Sequence, residues 1–175
     1  VANVTTADLV ALSTAQITAL TTDQLATGLT TGQFITLTTT QVAALTTDQV
    51  QNGLTTDQIS VLTTAQAQAL TTAQVAALTT DQVANVTTAD LVAFTTAQVT
   101  ALTTDQVAAL TTDQIVALST AQARALTTDQ INALTTAQVA SLETQELKDL
   151  TTAQKAATTT EPNHAELTTS QLVAL

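Results

Sequence analysis

One octapeptide, of which Leu102-Thr103-Thr104-Asp105-Gln106-Val107-Ala108-Ala109 is a typical copy, recurs some twenty times between Val4 and Leu175 with almost nothing between copies. Self-similarity at so short a period dictates a quasi-one-dimensional structure in which each unit packs on its neighbours along the array. The period also removes the simple alternatives. On an uninterrupted α-helix, eight residues advance the face by about 80° beyond two turns, so the Leu and Val positions wind around the helix and never form a stripe. On a strand, Leu at octad position one and Val or Ile at position six point to opposite faces, which leaves no single buried side.

A helix that restarts in every copy accounts for the whole octad. With the first Thr as N-cap (Thr103 or Thr111), the Gln three residues later (Gln106 or Gln114) completes a T-x-x-Q capping box. The Leu before the cap and the Val or Ile at the fourth helical position, Leu102 with Val107 and Leu110 with Ile115, supply the matching hydrophobic staple. Asp at the second helical position, as at Asp23, Asp48, Asp57, Asp81, Asp105, Asp113 and Asp129, sets negative charge at the positive end of a short helix. Two copies carry a ninth residue and end in Gly, at Gly28-Leu29 and Gly53-Leu54. Gly followed by an apolar residue predicts a left-handed C-cap.

The fold class expected is therefore all-α: a right-handed superhelix, or α-solenoid, of very short capped helices, one per octad. Helices of five or six residues do not persist alone, so Leu, Val and Ala must pack against adjacent units. Position seven accepts Thr18, Gln51, Gln68, Thr100, Arg124, Asn132 and Lys148, so it faces outward, whereas position eight, usually Ala, is expected to be partly buried. The alternative is a β-solenoid of short Thr- and Val-rich strands, against which the Ala and Gln content argues.

The regular array spans residues 1–157, residues 158–166 read as an irregular loop around Pro162, and residues 167–175 resume the octad. Val1 falls mid-octad and Leu175 on the first residue of another, so the chain reads as a piece of a longer array. The stretches Val1–Gln24 and Val83–Gln106 are near-identical, and both replace the box Gln by Asp, at Asp8 and Asp90. Inherited duplication explains this, and no separate function is expected of either Asp. After Leu142 the pattern loosens: Glu143 takes the cap position, Glu146 the box position, and Lys155 stands where Val is expected.

The composition narrows the chemistry. Net charge is −11, with Arg124, Lys148 and Lys155 the only Lys or Arg residues, which opposes binding to nucleic acid or to anionic membrane surfaces. No apolar run approaches the roughly 20 residues of a membrane span. Absence of Cys removes disulfides, thiolate metal sites and a thiol nucleophile. His164, the single His, reads as an exposed loop residue. No phosphate-binding loop, nucleophile elbow or EF-hand pattern is present. No enzyme activity, small-molecule substrate, catalytic residue or cofactor-binding residue is expected. Calcium is the one cofactor to weigh, because Asp side chains at helix starts supply hard oxygen ligands, but their irregular spacing favours support of the helix dipole.

The opening Leu102-Thr103-Thr104-Asp105-Gln106-Val107 resembles the start of the repeat in TAL effectors, although the second helix, the base-reading loop and the positive charge of that family are missing here. Over its full length the chain is similar to the L-T-T-x-Q repeat tracts of large bacterial secreted or surface proteins of adhesin type. That resemblance implies an elongated spacer or scaffold, extracellular or at the bacterial cell surface, and assigns no site residues. Two alternatives accompany it. One is a protein-interaction or self-assembling, filament-like module, with end-to-end association through exposed solenoid ends. The other is an ice-binding Thr array, which needs a flat β-face.

Overall fold

The computed structural model of the chain describes residues 4–159 and 167–174; His164 and Pro162, and most of the stretch read as a loop, lie outside them. The fold is all-α. Nineteen α-helices and one π-helix, each four to seven residues long, follow one another among the described residues, which contain no strand.

Each octad builds its helix as the sequence requires. In Thr104–Ala109 the cap Thr103 is extended (φ −73°, ψ 161°), its side chain accepts from the backbone N–H of Gln106, and the Gln106 side chain accepts from the N–H of Thr103. Leu102 is at once the C-cap of Thr96–Ala101 (φ −59°, ψ 137°) and the residue before the next cap. Two consecutive extended residues, Leu and Thr, thus make the turn without glycine. Leu102 and Val107 are both buried, and the same two octad positions supply most of one continuous core running from Leu9 to Leu167. Position-seven residues Thr18, Gln51, Gln68, Thr100, Arg124, Asn132 and Lys148 are exposed, and position-eight residues such as Ala101, Ala109 and Ala117 are half-buried.

Long-range packing follows one rule. Through residue 159, each helix in substantial contact with another packs on the third helix before or after it in sequence, as Thr88–Ala93 does on Thr64–Ala69 and Thr112–Ala117. Stability is therefore a sum of local stacking terms along an axis, which is the logic of a solenoid.

The ninth residue of Thr46–Gly53 is accommodated differently from the expected left-handed C-cap. It is absorbed in the π-helix Gln49–Gly53, and Gly53 does not adopt a positive φ. Lack of a side chain matters there for space: a Cβ on Gly53 would meet Thr22 Cα and Leu25 Cδ1, each at 3.1 Å. The insertion widens the helix locally and leaves the cap of the unit intact, since Thr46 N–H still donates to Gln49 Oε1 at 2.9 Å.

Candidate functional site

The feature that organises the molecule is the box glutamine. Gln106 is 2% exposed, which a capping role alone does not require. Its Oε1 accepts from Thr103 N–H at 2.8 Å within its own unit. Its Nε2 turns the other way and donates to the carbonyls of Val75 at 2.9 Å and Leu78 at 2.5 Å, 31 and 28 residues earlier. Those oxygens belong to the C-terminal end of Thr72–Ala77, where a short helix leaves its last carbonyls without intrahelical donors. One side-chain amide therefore caps the start of its own helix and the end of another, four units back. Since helices pack on the third unit back and glutamines reach the fourth, a superhelical turn takes between three and four octads.

The same pattern repeats level after level. Gln98 reaches Ala67 and Leu70, Gln114 reaches Val83 and Val86, Gln130 reaches Val99 and Leu102, and Gln138 reaches Val107 and Leu110. Insertions are taken up without loss of register. The spacing to the position-six carbonyl is 31 residues where no extra residue intervenes, as for Gln98 to Ala67. It is 32 across one Gly insertion, as for Gln41 to Leu9, and 33 for Gln58 to Leu25, which spans both. Beyond the 158–166 stretch, Gln171 donates to Leu142 at 2.8 Å, 29 residues back, the spacing Gln41 shows to Leu12 across one extra residue. The stacking register is thus kept on the far side.

Each buried amide gains bonds of about 1 kcal/mol net apiece, and a buried carbonyl left without a donor costs about 1–3 kcal/mol. The amide is the suitable group because it offers an acceptor and a donor at one position. A capping box alone accepts Glu as readily as Gln. The near-exclusive use of Gln was the available signal for this second role, which the box reading did not include.

Among the described residues three levels depart from Gln. Asp8, in the first unit, is exposed; its Oδ2 accepts from Thr5 N–H at 3.2 Å and from Thr5 Oγ1 at 2.6 Å, and these bonds hold its carboxyl below the usual value. Asp90 is 3% exposed, accepts from Thr87 Oγ1 at 2.6 Å, and does not close the box with Thr87 N–H. Glu146 is half-buried and accepts from Glu143 N–H at 2.7 Å. Burial pushes its carboxyl up; the Glu143 N–H works against this, and the Glu143 charge adds to it. Next to Glu146 lies a cavity of about 20 Å³ lined mainly by apolar side chains, with Ala123 in place of the usual Val. The Asp residues at helix starts, such as Asp57, Asp81, Asp105 and Asp113, are exposed and not gathered: among the described residues no three His, Cys, Asp or Glu side chains form a metal-binding group.

A helical solenoid whose turns are joined by buried glutamine amides defines a structural repeat protein. Residues 1–39, 53–88, 84–120 and 115–144 match the ALTTAQ repeat, together well over half of the sequence. The chain belongs to the ALTTAQ repeat family. No curated protein and no solved structure shows significant similarity to it.

Proposed function

We propose that the chain is a spacer or scaffold segment of a large bacterial surface or secreted protein, holding other parts of that protein at a distance set by the number of octads. The constancy of the glutamine register, from Gln41 to Gln171 and across each insertion, carries this reading, because it lets length vary while the axis continues. The acidic charge supports it by keeping parallel arrays apart and discouraging nucleic acid and anionic lipid as partners. No helix among the described residues is long and apolar enough to cross a membrane. We assign the segment no catalytic activity and no cofactor in this role.

A second reading, an interaction module, draws on position seven. That position carries Val10, Thr18, Ile35, Gln51, Gln68, Arg124 and Lys148 on one constant scaffold, so the outward surface varies while the core does not. Small-angle scattering over a dilution series separates the two. A rod of constant mass, lengthening in proportion to added octads, supports the spacer; concentration-dependent mass supports the interaction module, and a compact globule contradicts both.

A further inference from the structure

Asp90 sits at the box position of an interior level, where the stacking chemistry demands a donor. The flanking levels fix what it faces. Gln82 donates to the carbonyls of Val50 and Leu54, and Gln98 to those of Ala67, Gln68 and Leu70. Eight residues before that last set, Ile59, Ser60 and Leu62 hold the same octad positions, and the register of the two flanking levels assigns their carbonyls to residue 90. At the Gln98 level the group meeting the three carbonyls is an amide nitrogen at 2.7 to 3.3 Å. At the Asp90 level it is a carboxyl one methylene shorter. Asp90 Oδ2 accepts from Thr87 Oγ1, while Oδ1 takes no hydrogen bond among the described residues. No side chain among them donates to the carbonyls of Ile59, Ser60 or Leu62. The level therefore sets the carboxyl of Asp90, 3% exposed, against three carbonyls, of which Ile59 O also accepts from Leu62 N–H at 3.2 Å; the donors of the level, Thr87 Oγ1–H and Thr87 N–H, belong to the cap of its own helix.

We propose that this level binds one small hard cation, sodium or calcium, ligated by the Asp90 carboxylate and the carbonyl oxygens of Ile59, Ser60 and Leu62, with water completing the shell. A carboxylate oxygen and three carbonyl oxygens to which no side chain donates are a ligand set that hard cations take. At the Gln98 level the corresponding carbonyls surround the amide nitrogen at 2.7 to 3.3 Å, and the same arrangement would need to close in by a few tenths of an ångström to meet a cation at about 2.3–2.6 Å. The site is distinct from the Asp residues at helix starts, which are exposed. It also differs from Asp8, which has the same neighbours in sequence but closes its box with Thr5 N–H.

The test is thermal unfolding of the full chain in sodium chloride, calcium chloride or choline chloride at fixed ionic strength, alongside Asp90→Gln. The variant restores the amide used at the other levels, so it folds. The proposal expects the parent midpoint to rise by about 2–4 °C with the responsive cation relative to choline, and the variant to show no such rise. Which salt produces the rise identifies the cation, and titration calorimetry with that salt should count one site more in the parent than in Asp90→Gln. Equal responses of parent and variant, or no response in the parent, overturn the proposal.

Discussion

Gln138 Nε2 donates to the carbonyl of Leu110 at 2.6 Å, and through that bond the start of one helix is fastened to the end of another 28 residues earlier. The same amide also donates to Val107 at 2.9 Å, while its Oε1 accepts from Thr135 N–H at 2.7 Å. Local capping and long-range stacking are performed by one side chain.

Gln138→Glu keeps the capping acceptor and removes the donor. The carbonyls of Val107 and Leu110 then face a carboxylate, so the variant should lose about 1–3 kcal/mol in urea unfolding at neutral pH, with helix content retained. A loss within experimental error would show that the stacking bonds contribute nothing net.

Glu146→Gln reverses that substitution where the sequence already carries it. Burial raises the Glu146 carboxyl above 4.5, so the native state binds its proton more tightly than the unfolded chain. The stability associated with that proton is fully present below 4.5 and is lost as pH rises through the higher native value. Glu146→Gln should therefore be the more stable protein at pH 7 and nearly level with the parent at pH 4. Thermal midpoints at the two pH values check the sign.

Ala123→Val should fill the cavity of about 20 Å³ that Ala123, Ile131 and Leu150 help to line. Restoring the usual position-six residue should raise stability by about 0.5–2 kcal/mol in denaturant unfolding. The opposite change, Ile131→Asp, places a charge without a partner in the core at a residue 1% exposed and should unfold the surrounding levels.

The two threonines of a unit should separate cleanly. Thr103 caps its helix by accepting from Gln106 N–H at 3.2 Å, whereas Thr104 is the exposed first helical residue. Thr103→Ala should cost about 1 kcal/mol, within a range of 0.5–2, and Thr104→Ala no more than about 0.5 kcal/mol. Comparable losses from both would contradict the capping assignment.

Much of the fold was legible because the octad encodes local rules. Cap, box and staple all fall within six consecutive residues, and the structure places Thr103, Gln106, Leu102 and Val107 in those roles. The outward position seven and half-buried position eight followed from which residues each tolerates. The stacking was not legible, because the partners of Gln106 lie 28 to 31 residues away, and in a perfect repeat every copy of Leu or Val is an equally good candidate. The left-handed cap expected at Gly53 failed for a related reason. Sequence shows that a ninth residue must be absorbed, but close packing against Thr22 and Leu25 selects a π-turn with a bare Cα as the solution.

The most direct test of the glutamine ladder is hydrogen exchange of the glutamine side-chain amides by ¹⁵N NMR. Gln51, Gln68 and Gln145 point outward, whereas box residues such as Gln74, Gln106 and Gln138 are buried with Nε2 bonded to carbonyls four units back. The account predicts two populations, a minority of side-chain amides exchanging at the rate of free glutamine and a majority protected to the extent of the neighbouring helix backbone. Uniformly fast exchange of all glutamine side chains, with the backbone still protected, would contradict it.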